Sequence, residues 1–298
     1  MARASAAVKT GVKKLKRSTM TLLAILMVAA ALFLGYRFWI YTGLDTTGPV
    51  ITVDEGILQV SVHDPQEALL AGVHAMDDHD GDVTDSVLIE SIYGITDDHI
   101  TTVVYAAFDE AGNVSKMERK VCYTDYSSPR FTLRDSLTFR AGSGFDVLDY
   151  IGAEDVREGR IDRRVHGVMI SESNSINEIG QHTVRFQVMN DLGDCSEIEV
   201  TVEVYDPEWY TAKVELSEYL IYLEVGDRFT ARDYLKSFNV RGESIDISRS
   251  VPDELDCVIS SHVNTSVPGV YEVTYQLSQN VNLNNYSGIA RLIVIVEE

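Results

Sequence analysis

The sequence predicts an all-β protein, three tandem β-sandwich domains behind one N-terminal transmembrane α-helix. Three observations predict it. Residues 20–41 form a long apolar run, three later segments repeat the same order of alternating strands and Gly-containing turns, and the composition is that of a folded chain. At 45% hydrophobic and 24% charged residues, 298 residues can bury more than one core.

The first element is a basic tail, residues 1–19, with Arg3, Lys9, Lys13, Lys14, Lys16 and Arg17 and no acid. It leads into a helix over 20–41, where Met20, Leu26, Phe33 and Trp39 mark an apolar stretch interrupted by Arg37 alone. About 20 such residues, rising 1.5 Å each, cross a hydrocarbon core of roughly 30 Å. Six bases before the run keep the N-terminus in the cytoplasm, and Trp39 and Tyr41 fall where amphipathic rings meet the headgroups. A cleaved signal peptide with Ala29 and Ala31 at the cut would leave Leu32, Phe33 and Leu34 at a new N-terminus, so an uncleaved signal-anchor fits better. No Cys follows closely enough for a lipoprotein anchor.

Beyond the helix the charge reverses. All 46 acids lie from Asp45 onward, while seven of the 25 bases precede it, and the net charge is −21. Such a surface repels a phosphate backbone, so nucleic acid is excluded as a partner.

The repeats occupy 46–125, 127–206 and 211–298. They open on Pro49–Val53, Pro129–Leu133 and Ala212–Leu216, where period-two alternation buries one face of each strand. Each then carries a Gly before an aliphatic residue: Gly81 and Val83, Gly159 and Ile161, Gly242 and Ile245. Alternating strands ending on Tyr105, Phe186 and Tyr275 follow, and the last strands run over Lys116–Tyr123, Glu197–Tyr205 and Ile289–Val296. Gly81 and Gly159 stand roughly 80 residues apart, compact for a sandwich domain. Single helical turns are expected at Glu67–Val73 and Ala231–Ser237. Short joints containing Pro129, Pro207 and Trp209 restrict bending rather than act as free coil, with Trp209 and Tyr210 packing between the second and third repeats. Cys122, Cys195 and Cys257 are read as free, mostly buried thiols.

The segments Ala75-Met76-Asp77-Asp78-His79-Asp80-Gly81-Asp82-Val83-Thr84 and Val104-Tyr105-Ala106-Ala107-Phe108-Asp109-Glu110-Ala111-Gly112-Asn113 resemble bacterial Ig-like domains of the hyalin-repeat type. The second repeat keeps Asp155, Gly159 and Ile161 but has Asn190 and Asp194 where the first has Asp109 and Asn113; the third lacks the Gly-Asn turn. The resemblance implies an Ig-like fold in an exported surface protein, used as a spacer or adhesive unit, and brings no catalytic residue.

The acidic turn Asp77, Asp78, Asp80, Asp82 and Asp85, which Asp109 or Asp125 can join, is the sharpest candidate site. A calcium set of Asp78, Asp80, Asp82 and Asp109 satisfies calcium's demand for carboxylate oxygens. An EF-hand is ruled out by register, because Gly81 at its sixth position puts Met76 first and Val87 last. The plainer reading is a solvated turn with no cofactor, in which Asp side chains cap backbone groups and Gly81 supplies a positive φ. The seven His are scattered and form no His-Glu-x-x-His pair, and no Gly-x-Ser-x-Gly elbow is present, so no enzyme is expected and no small-molecule substrate is evident. The expected partners are the lipid bilayer and a protein at the cell surface, with the C-terminus extracellular. The functions in view are display, spacing or adhesion, then an accessory subunit of a secretion or polysaccharide assembly, and more distantly a carbohydrate-binding module.

Overall fold

The computed structural model describes residues 2–170, 175–206, 208, 211–240, 243–246, 256–281 and 284–298. The chain begins with helix α1 (Ala2–Gly43). Seven strands follow: β1 (Val50–Val53), β2 (Leu58–Val60), β3 (Val73–Asp77), β4 (Gly81–Asp82), β5 (Leu88–Ile95), β6 (Ile100–Phe108) and β7 (Val114–Tyr123). The second set is β8 (Arg130–Leu133), β9 (Thr138–Arg140), β10 (Ile151–Asp155), β11 (Gly159–Arg160), β12 (His166–Met169), β13 (Gly180–Met189) and β14 (Cys195–Tyr205). The third is β15 (Ala212–Leu216), β16 (Leu220–Glu224), β17 (Leu235–Val240), β18 (Glu243–Asp246), β19 (Asp256–Ser261), β20 (Gly269–Val281) and β21 (Asn284–Glu297).

The three sets share one strand order. A three-stranded sheet runs β1-β3-β4, β8-β10-β11 and β15-β17-β18; a four-stranded sheet runs β2-β7-β6-β5, β9-β14-β13-β12 and β16-β21-β20-β19. The opening alternations form β1, β8 and β15, and a short strand not expected from the sequence follows each. In each repeat the first strand joins the small sheet antiparallel, and a short second strand crosses over to pair parallel with the last strand, as Leu58 with Val121, Thr138 with Glu203 and Leu220 with Ile293. These are Ig-like sandwiches. Of the expected helical turns, short 3-10 segments form at Gln66–Leu70 and Ala231–Tyr234.

The chain gathers into two compact units. The first comprises Met1–Gly56, Leu70–Ser91 and Val104–Arg119; the second comprises Ile57–Leu69, Ile92–Val103 and Lys120–Glu298. In the first, Ile51, Val73, Ala75, Tyr105 and Ala107 are buried, and the guanidinium of buried Arg119 donates to the Ala71 carbonyl at 2.7 Å. Register places Ile51 opposite Ala75 and Val53 opposite Val73, so one face of the β1–β3 pair supplies the core.

In the second unit both sheets of the second repeat feed one core: Phe131, Ile151 and Ala153 from the small sheet, Phe139, Val184, Phe186, Val200 and Val202 from the large one. Ile293 and Ile295 of β21 belong to this same core, with Leu220 and Tyr222 packed against it. Their neighbours Leu292, Val294 and Val296 point the other way, into the third repeat's core around Phe238, Tyr275 and Leu277. Polar contacts reinforce this seam. Arg291 pairs with Glu203 at 2.5 Å and Glu272 at 3.5 Å, its backbone amide donates to Ser136 Oγ at 3.0 Å, and the Phe131 amide donates to Tyr222 Oη at 2.6 Å. The second and third repeats are thus bound along strand faces, a stronger restraint than the joint residues alone were expected to give.

Pro129 is buried ahead of β8. Pro207, Trp209, Tyr210 and Gly242 lie outside the described residues. The three cysteines are free, but none is buried: Cys195 is exposed, and Cys122 and Cys257 are half-buried. Cys257 packs against the edge of the third repeat's core without being buried in it, which corrects the expectation of mostly buried sulfur.

Candidate functional site

At one end of the first repeat three stretches of chain converge: the segment between α1 and β1, the β3–β4 turn and the β6–β7 turn. They bring together Asp45, Asp77, Asp80 and Asp109, each offering a carboxylate oxygen within 4.8 Å of the others. Period two decides which acids enter. Val73, Ala75 and Asp77 take the buried face of β3, so Asp77 ends the strand pointing inward and only 4% exposed. Asp78, the next residue, points out, where its Oδ1 lies 2.9 Å from Thr47 Oγ1. Asp82 is also exposed and accepts from the Thr84 amide at 3.0 Å. Gly81, at φ 79°, turns the chain between the two outward acids.

Of the four acids named from the sequence as a calcium set, Asp80 and Asp109 are in the group and Asp78 and Asp82 are not. Asp77 and Asp45 take their places. Asp125 is elsewhere, accepting from Ser61 Oγ at 2.6 Å and the Val62 amide at 2.8 Å.

The donors to this corner are few. Asp77 Oδ1 accepts from the amides of His79 at 2.8 Å and Asp80 at 3.0 Å, while its Oδ2 is buried with no hydrogen-bond partner among the described residues. Asp45 Oδ1 accepts from the Thr47 amide at 3.0 Å, and its Oδ2 is likewise buried without a partner. Asp80 Oδ2 accepts from the Glu110 amide at 2.8 Å. Asp109 accepts from the Asn113 amide and from Asn113 Nδ2, both at 2.7 Å. Burial works to raise the Asp109 pKa, but the bonds from Asn113 and the turn amides outweigh it and hold the carboxyl below its ordinary range. Ionised carboxylates this close repel one another by several kcal/mol at an effective dielectric near 20, about 4 kcal/mol at 4 Å.

The second repeat builds the same corner from other residues. Asp155, the last residue of β10, is 4% exposed, and its Oδ1 accepts from the amides of Arg157 at 2.8 Å and Glu158 at 3.0 Å. Its Oδ2 accepts from Asn190 Nδ2 at 2.8 Å, and the same amide group meets Tyr126 Oη at 2.8 Å. Tyr126 Oη in turn donates to Asp194 Oδ2 at 2.6 Å, and Arg164 forks onto Glu158 at 2.8 and 2.5 Å.

The residues expected from the sequence to anchor the chain in a membrane lie on α1. Thr19–Trp39 is 21 residues long and apolar enough to cross a membrane, and none of it is buried; Met20, Leu26, Phe33 and Trp39 are all exposed. A signal sequence shares these properties.

The sequence matches no protein-family model and no curated protein. Similar solved structures include the CBM51-2 and INT domains of Clostridium perfringens ZmpB, at 18% identity over 52% of this chain and 26% of that one, TM-score 0.21. Others are the protocadherin gammaB4 extracellular domain (11%, 84% and 50%, TM-score 0.19) and Drosophila N-cadherin EC1-4 (12%, 85% and 76%, TM-score 0.22). The chain spans about a quarter of the ZmpB structure and half of the protocadherin. Similarity at this level carries no functional argument, and the strand order of the chain itself defines the fold.

Proposed function

We propose that the protein is a membrane-anchored, extracytoplasmic Ig-like stalk that displays or spaces a protein-binding surface at the bacterial cell surface. The observation that carries this reading is the apolar span Thr19–Trp39 standing wholly exposed directly before the repeats. A contiguous apolar surface of that size is not stable in water, and a bilayer covers it along its whole length. The bases before the span and the acids after it orient it with the N-terminus inside. The fused second and third repeats suit a spacer, because a part that sets distance has to resist bending. No catalytic chemistry is assigned to it.

The test is protease added outside intact spheroplasts. It should remove everything beyond about residue 42 and leave a short membrane-protected N-terminal fragment. Recovery of a protected full-length chain would overturn the reading.

A further inference from the structure

We propose that the acidic corner of the first repeat is a divalent-cation site of calcium's class, built from Asp45, Asp77, Asp80 and Asp109. The proposal stands on the corner itself and is independent of the membrane anchor.

The second repeat supplies the internal control. Asp77 and Asp155 end equivalent strands, and each uses Oδ1 to accept the amides two and three residues on. Their Oδ2 atoms then differ. In the second repeat Asn190 Nδ2 donates to Asp155 Oδ2. In the first, the position of Asn190 is held by Asp109, which when ionised has no proton to give. Asp77 Oδ2, on a side chain 4% exposed, is left without a donor among the described residues, and the Asp77 carboxylate is grouped with three further carboxylates. Native folds rarely leave such an atom bare.

The other substitutions run the same way. Glu158, at the position of Asp80, is neutralised by Arg164, and on the chain entering the repeat the hydroxyl of Tyr126 meets Asn190 where the first repeat brings Asp45. The second corner is closed by its own amide, hydroxyl and guanidinium donors. In the first, Asp109 takes the place of the amide and Asp45 that of the hydroxyl, Ser86 stands at the position of Arg164, and a cation among the acids supplies the positive charge the corner lacks.

The donor set names the class. Four carboxylates with no His or Cys select a hard cation over zinc or copper. Calcium takes six to eight oxygens in flexible geometry, whereas magnesium demands a near-ideal octahedron and keeps several waters, so anionic ligands from three separate turns suit calcium. Asp45 lies between α1 and β1, so the ion ties the segment leaving the helix to the turns of the first repeat.

The test is calorimetric and thermal titration of the detergent-solubilised full chain with calcium chloride against chelator. The wild type should bind one ion and melt several degrees higher with it, since a ligand held only by the native state stabilises it. Asp109→Asn restores the donor of the second repeat. It should fold without calcium, melt in chelator at least as high as the wild type, and bind calcium at least about tenfold more weakly. Asp80→Asn, which keeps an acceptor for the Glu110 amide, should lose affinity similarly. Asp82→Asn, in the same turn but outside the group, should respond as the wild type does. No calcium response in the wild type, or an undiminished one in both Asp109→Asn and Asp80→Asn, overturns the site. Equal loss in Asp82→Asn would mean diffuse charge screening and overturns it as well.

Discussion

Tyr126, in the joint before β8, is 6% exposed and spends its hydroxyl proton on Asp194. Burial first, and then the bond to Asp194, raise its pKa well above the ordinary tyrosine value. The folded state therefore holds this proton more tightly than the unfolded chain does. Its contribution is complete below about pH 10, where the unfolded phenol begins to ionise, and is lost as pH climbs toward the folded value. Stability from urea midpoints should fall above pH 10, and Tyr126→Phe should make that fall shallower by up to about 1.4 kcal/mol per pH unit, one proton's worth. An unchanged slope in the variant would show that this phenol is not held as described. At this scale the sequence was half legible. The inward face of Asp77 follows from the alternation Val73, Ala75, Asp77, and the exchange of Asp109 for Asn190 is visible in the aligned turns. Asp45 could not be found that way, because only the closing of the sandwich brings a residue from before β1 against the β3–β4 and β6–β7 turns.

Strand β21 serves two cores, and its sequence says so in physical terms. A strand with one wet face alternates apolar and polar residues, but Leu292-Ile293-Val294-Ile295-Val296 is apolar throughout, the pattern of a strand covered on both faces. Leu292, Val294 and Val296 fill the third repeat, while Ile293 and Ile295 complete the second. The partner of the second face is not encoded in any local pattern, since it is set by how two repeats meet. Ile293→Ala should cost about 2–5 kcal/mol, as buried Ile-to-Ala changes do, although the residue lies outside the third repeat's own core. Because the lost packing belongs to both repeats, chemical unfolding should shift as one transition. A split, with the third repeat's transition left in place, would show that the seam is only loosely packed. The short crossover strands β2, β9 and β16 were not read from the sequence, because a three- to five-residue strand has too little alternation to declare itself.

For the molecule as a whole, the decisive feature is a boundary in composition at Asp45. Before it lie seven bases and no acid, with 21 residues of exposed apolar helix; after it lie all the acids and all the sandwiches. The helix was the most legible element, since length and hydropathy alone specify it and tertiary packing is not involved. The same numbers describe a signal sequence, and what separates the two is what remains on the mature chain. Cleavage after Ala31 would leave Leu32 through Tyr41, about half the length needed to span a bilayer, ahead of a strongly acidic domain. An intact span holds by the transfer of some 20 apolar residues, each Leu, Ile, Phe or Val favouring the membrane by about 0.3–0.6 kcal/mol at the helix centre. The basic tail adds an electrostatic attraction that salt can remove, but the apolar transfer holds the span without it. The full chain should therefore stay in the membrane pellet through high salt and alkaline carbonate and leave it only with detergent, whereas the chain from residue 44 onward should be recovered in the supernatant. The pelleted protein should carry its N-terminal basic segment when sequenced. A mature N-terminus at Leu32, or release of the full chain by carbonate, would replace the anchor with a signal peptide and make the repeats a secreted protein.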